Sequence, residues 1–153
     1  MNSTPTTAQP DGAIERDTGA HRPARYRVPL TVTAEVPRLA RRTVRAYLVL
    51  WQLRDLIDAA ELAVTELIGN VVKHVPDRRC VLSVEWRPGG VRVGVADRSP
   101  VLPAPPRAAG PYEESGRGLA LVALVTHAWG VRPDGDGGGK TVWFELGTDR
   151  ITT

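Results

Sequence analysis

Two hydrophobic periods alternate along this chain. Tyr26, Val28, Leu30 and Val32 alternate with Arg27, Pro29, Thr31 and Thr33, a period of two that predicts a strand with one buried face. Pro29 lacks a backbone donor, so this strand belongs at a sheet edge. Pro37 then suits the first turn of a helix, and Leu39, Ala40, Val44, Tyr47, Leu48 and Trp51 repeat at helical spacing. A longer helical pattern follows over residues 60–75, with Ala60, Ala63, Val64, Leu67, Ile68, Val71 and Val75 forming one broad apolar stripe. Asp55 or Asp58 can cap this helix, and Pro76-Asp77 ends it. Residues 80–86 and 91–97 are two strands joined by the turn Arg87-Pro88-Gly89-Gly90, a β-hairpin. Five prolines then break residues 98–115 into a long loop. Gly116-Arg117-Gly118 opens a short apolar segment, Leu119 to Val125, that the glycines mark as a helix start. Strands at 127–132 and 141–146 flank a glycine-rich turn, Asp134 to Gly139.

The order is β, α, α, β, β, loop, α, β, β. Adjacent strands pair antiparallel and helices segregate to one face, so the fold class is α/β in the α+β sense. The expected architecture is a two-layer sandwich: a mixed, mostly antiparallel sheet covered on one face by helices. Residues 1–25 carry Thr, Pro, Ala and charge without periodicity and read as a disordered arm. The folded domain spans 26–147, and 148–153 is a tail.

Composition narrows the function classes. A charged fraction of 24% against 42% hydrophobic is that of a globular domain. The net charge of +3 is too small to argue for nucleic acid. Arg38, Arg41, Arg42 and Arg45 cover one side of the first helix, a face suited to an acidic partner or simply to solvent. The single cysteine, Cys80, leaves no internal disulfide and fits a reducing compartment. Three scattered histidines give no metal-ligand spacing. No apolar run reaches the ~20 residues of a membrane span, and no hydrophobic leader precedes the arm, so the expected location is cytoplasmic. Asp134-Gly135-Asp136-Gly137-Gly138-Gly139-Lys140-Thr141 nearly spells a phosphate-binding loop, but β-formers follow where that loop needs a helix.

The candidate chemistry lies on the central helix. Opposite its apolar stripe stand Glu66, Gly69, Asn70 and Lys73. Glu66 and Asn70 are i,i+4 neighbours. A carboxylate, a carboxamide and an ammonium thus share a ridge, and Gly69 leaves room for something to pack close to the backbone. On this helix alone the ridge is equally an ordinary solvated face.

Three pieces in this order resemble the GHKL ATPase superfamily: Glu66-Leu67-Ile68-Gly69-Asn70 on a helix, Asp97 at a strand end, and Gly116-Arg117-Gly118-Leu119 after a loop. The chain is most similar to the anti-sigma-factor serine/threonine kinases of the RsbW type and their stand-alone ATP-binding relatives, over about residues 26–147. The resemblance implies ATP and Mg²⁺ as cofactors. It implies Asn70 as an oxygen ligand of Mg²⁺ and Glu66 as the acid that positions or deprotonates the attacking group. Asp97 would accept a hydrogen bond from the adenine amino group, with Thr141 near the adenine. Gly116, Arg117, Gly118 and Leu119 would form the second glycine box around the phosphates, with Lys73 close by and residues 98–115 as the lid. The first glycine box is missing, since Asp97-Arg98-Ser99-Pro100 has neither of its glycines. The implied partners are a sigma factor and an anti-anti-sigma protein, with no direct nucleic acid and no membrane; a homodimer is compatible. The function implied is that of a kinase that phosphorylates the anti-anti-sigma partner and sequesters the sigma factor. The alternative is a nucleotide-gated binding module without kinase activity.

Overall fold

A computed structural model describes residues 24–101, 114–135 and 137–147, with side chains of 114–117 excepted. The expected arm, the tail and most of the expected lid lie outside the described residues. The elements are β1 (Arg25–Thr31), α1 (Val36–Leu50), α2 (Ile57–His74), β2 (Arg79–Arg87), β3 (Gly90–Asp97), α3 (Glu114–Val125), β4 (Ala128–Pro133) and β5 (Lys140–Gly147). The five strands form one sheet in the order β1-β2-β3-β5-β4, with β1 at an edge. Every neighbouring pair is antiparallel, so the sheet is not mixed. The physical reason is that no helix here returns the chain to a neighbouring parallel strand; β2–β3 and β4–β5 are hairpins.

Alternation decides which side chains meet the helices. Cys80, Leu82 and Val84 of β2, Val91, Val93 and Val95 of β3, and Val142, Phe144 and Leu146 of β5 are buried. They pack against Ala40, Val44 and Leu48 of α1, the stripe Ala60 to Val71 of α2, and Leu119 and Val122 of α3. Helix α2 lies in the middle, touching α1, α3, β3 and β5. Tyr26, Tyr47 and Trp51 close the β1 end, with ring centroids 5.0 and 5.3 Å apart. Burial and the neighbouring Tyr26 push the Tyr47 phenol up.

Neither Asp55 nor Asp58 caps α2. Its N-cap is Leu56, with no side-chain cap, because a 3-10 turn over Arg54–Leu56 leads directly into the helix. Asp58 instead sits in the first turn, where a negative charge favours the helix dipole. The arginine face of α1 is partly spent inside the molecule. Arg41 donates to Thr65 Oγ1 at 3.1 Å, and Arg45 pairs with Glu61 at 3.0 Å, tying α1 to α2.

Candidate functional site

The site is built where β3 ends. Asp97 continues the helix-facing set Val91, Val93, Val95, and its cross-strand partner is Lys140, the first residue of β5. The Lys140 ammonium donates to Asp97 Oδ1 at 2.9 Å and to the Ser99 carbonyl at 3.2 Å. Both side chains of the pair are 4% exposed. The Ser99 amide also donates to Asp97 Oδ1, at 2.8 Å, and Ser99 Oγ accepts from the Val101 amide at 3.2 Å. A buried ion pair needs further hydrogen bonds to hold, and backbone supplies one to each side here: the Ser99 carbonyl to Lys140 and the Ser99 amide to Asp97. Gly139 makes the approach possible: a Cβ there would collide with the Asp97 carbonyl. The resulting turn over 97–100 is fixed by a side-chain staple where the expected family pattern has glycines.

Helix α2 brings Asn70 and His74 to the same place. With Asp97, Lys140, Leu67, Val71, Val95 and Val142 they line a cavity of about 10 Å³, roughly room for one water. Asn70 Nδ2 and His74 Nε2 are buried and have no protein partner. Buried polar atoms are rarely left so, and these two mark a place where something else completes the hydrogen bonding. Cys80 lies nearby in β2; burial, and then the Asp97 charge, push its thiol up to about 11. It is a core thiol, not a nucleophile.

One turn before Asn70, Glu66 meets α3. A Cβ built on Gly118 would lie 2.8 Å from Glu66 Oε1, so glycine lets α3 settle on this carboxylate. Gly116 and Arg117 belong to the first turn of α3. The ridge from Glu66 through Asn70 to His74 therefore joins two places, the N-terminal turns of α3 and the Asp97–Lys140 pair. Along a helix axis they stand roughly 12 Å apart.

Other sequence candidates fall elsewhere. Thr141 points to the opposite face of the sheet: its methyl lies with Ser83 Oγ and the Trp143 Cβ around Gly94. Lys140, not Thr141, stands beside Asp97, as the period of two requires. Leu119 is buried in the core at 1% exposure. Lys73 is exposed on the outer side of α2. Gly69 has nothing within 4 Å of a built Cβ, so no described element packs close to it. His74 and Lys140 are the residues that the motif pattern missed. His74 repeats the i,i+4 step from Asn70, and Lys140 shares its strand face with Val142, Phe144 and Leu146.

Among the described residues no group of three or more His, Cys, Asp or Glu could hold a metal by itself. Mg²⁺ does not need one: it takes one or two protein oxygens, waters and phosphate oxygens. The Asn70 carboxamide is a hard oxygen donor of the right kind, one turn from Glu66. The residues fit such an ion. No described helix is long and apolar enough to cross a membrane.

The model of the histidine kinase-like ATPase domain matches residues 29–146, from β1 through β5. An uncharacterized protein of Streptomyces coelicolor is 51% identical over 75 residues, covering 47% of this chain and 71% of that protein.

Proposed function

Because the chain belongs to the histidine kinase-like ATPase domain family, we propose that it is an ATP-dependent anti-sigma-factor serine/threonine kinase. It binds Mg-ATP, transfers the terminal phosphoryl group to a serine or threonine of an anti-anti-sigma protein, and sequesters a sigma factor. The observation that supports this most is the α2 ridge: Glu66 lies against Gly118 of α3, and Asn70 shares a cavity with Asp97. The base sits at the Asp97 end and the phosphates at the α3 end. Mg²⁺, when bound, neutralises phosphate charge; Asn70 supplies a ligand oxygen. Gly116 and Arg117, in the first turn of α3, offer backbone N–H groups of a helix start to phosphate oxygens, and Gly118, the fifth residue, makes room for Glu66. Glu66 orients the attacking hydroxyl and accepts its proton.

The second reading is a nucleotide-gated binding module, favoured by Asp97-Arg98-Ser99-Pro100, which lacks the first glycine box. Glu66→Gln separates the two. A carboxamide keeps the shape but cannot take a proton, and general-base contributions run about 10²–10⁴-fold. The kinase reading expects near-native ATP affinity, intact sigma-factor binding, and transfer to the anti-anti-sigma partner reduced about a hundredfold or more. Transfer at the native rate would remove Glu66 from the chemistry. No transfer by the native protein would favour the binding module.

A further inference from the structure

We infer that Lys140 is a second reader of the nucleobase, donating a hydrogen bond to the purine ring nitrogen N1 while Asp97 accepts from the neighbouring 6-amino group; this rests on the nucleotide reading above. The inference begins with bonding capacity. An ammonium has three donors. Asp97 Oδ1 and the Ser99 carbonyl take two of Lys140's, which leaves one. A carboxylate has about four acceptor sites. The Lys140 ammonium and the Ser99 amide both use Oδ1, and neither bond uses Oδ2. Side by side at the end of β3 and β5, the pair therefore offers one acceptor and one donor. The Watson–Crick edge of adenine offers the complement, an amino donor beside a ring-nitrogen acceptor. In the same orientation guanine presents the reverse order, a carbonyl beside an N–H, and meets repulsion at both points.

The surroundings point to a ligand at this place. Asn70 Nδ2 and His74 Nε2 line the cavity with the pair, buried and without a protein partner. At about 10 Å³ the cavity holds no purine, so the base reaches the pair only when the space beside α2 widens. What does not have to move is the pair: Gly139 and the turn at Ser99 hold it before any ligand arrives. Pre-set polar groups of this kind discriminate strongly, because a ligand lacking the matching atom leaves them unpaired. Lys140 thus supplies, from a strand, recognition for which the motif pattern had assigned Thr141.

The test compares ATP with 1-deaza-ATP, in which N1 is a carbon carrying hydrogen, by calorimetry on the full chain. The native protein is expected to bind the analogue about tenfold or more weakly, the effect of losing a hydrogen bond to a charged donor. In Lys140→Met the two nucleotides should bind alike. A residue that merely supports the fold would lower both affinities and leave their ratio unchanged. Lys140→Arg, which keeps the charge beside Asp97 and guards against misfolding of the methionine variant, should restore part of the discrimination. If the native protein binds ATP and 1-deaza-ATP equally, the assignment of Lys140 falls while the nucleotide reading stands. Tighter ATP binding by Lys140→Met would also overturn it, making the lysine a plug. If the native protein binds neither ATP nor ADP, the nucleotide reading fails and takes this inference with it.

Discussion

Strands β3 and β5 carry two cross-strand ion pairs, and they face opposite ways. Asp97–Lys140 points toward the helices, at 2.9 Å and 4% exposure for both side chains. Arg92–Glu145, five rungs along the same ladder, points to the other face, at 3.0 Å with side chains 25% and 33% exposed. The distances are nearly equal, so geometry does not separate them. Their surroundings do. The outer pair sits in a loose charge network: Arg87 lies 3.8 Å from both Glu145 and Glu85, and Arg92 covers the Trp143 ring at 4.0 Å. Removing any member leaves the others partners and water. The inner pair has no such reserve, and among the described residues its only other polar neighbours in the cavity are Asn70 and His74. The inner pair, kept at that cost beside Asn70 and His74, is the one on which the proposed nucleotide site rests; the outer network is partly open to solvent.

Breaking one partner of the inner pair is the largest effect expected. Lys140→Met leaves a buried carboxylate uncompensated, and such losses cost about 3–5 kcal/mol. Asp97→Asn/Lys140→Met removes the charge as well and should recover a good part of that stability. Urea unfolding of the two variants checks this. A double variant no more stable than the single would show that the two side chains are not coupled.

Cys80 reports on the same inner environment without touching the site. Its thiol is moved from 9.0 to about 11, by burial first and Asp97 second, so the folded protein carries roughly a hundredfold less thiolate than a free cysteine at neutral pH. Alkylation of the native chain should be slower by about that factor, and urea should release it. The linkage has a definite sign. Between pH 9 and 11 the unfolded thiol has lost its proton and the folded one keeps it, so stability falls as pH rises through that window. Asp97→Asn should speed alkylation, since it removes the second cause of the shift. Unchanged rates would mean that Asp97 is not felt at Cys80.

How much of this was legible beforehand follows from which interactions are local. The elements and the α2 stripe were, because periods of two and 3.6 record burial directly. Pro29 fixed its strand at an edge for the same kind of reason: it cannot donate to a ladder. Adjacent helix positions Glu66 and Asn70 were legible as a pair. The α2 cap was not, since the 3-10 turn before it depends on how α1 hands over the chain. Thr141 against Lys140 is the instructive case. A motif aligned by neighbouring letters selected the threonine, whereas strand alternation already put residue 140 on the face of Val142 and Phe144. The joining of Lys140 to Asp97 spans 43 residues; no local pattern carries a contact of that kind. Gly118 was expected to expose backbone to phosphate; what the structure shows is that it makes room for the Glu66 carboxylate.

The smallest effect, and the sharpest test of the contrast between the faces, is salt. Exposed ion pairs contribute about 0–1 kcal/mol, and a cation–π contact at a partly exposed site about 0.5–1 kcal/mol. Arg92→Met removes both the charge beside Glu145 and the guanidinium over Trp143, so it should cost about 1 kcal/mol at low salt. Glu145 keeps Arg87 at 3.8 Å, which holds the loss to that size. At 1 M salt the screening length shrinks to about 3 Å, and most of the ion-pair share of the cost should vanish. The coupling between Asp97 and Lys140, measured by a double-mutant cycle under the same two conditions, should stay nearly constant, because ions do not enter a buried pair. The two cycles compare pairs on opposite faces of one ladder, five rungs apart. Equal salt dependence would show that solvent reaches the inner pair, and would remove the physical ground for treating Asp97 and Lys140 as a pre-set site.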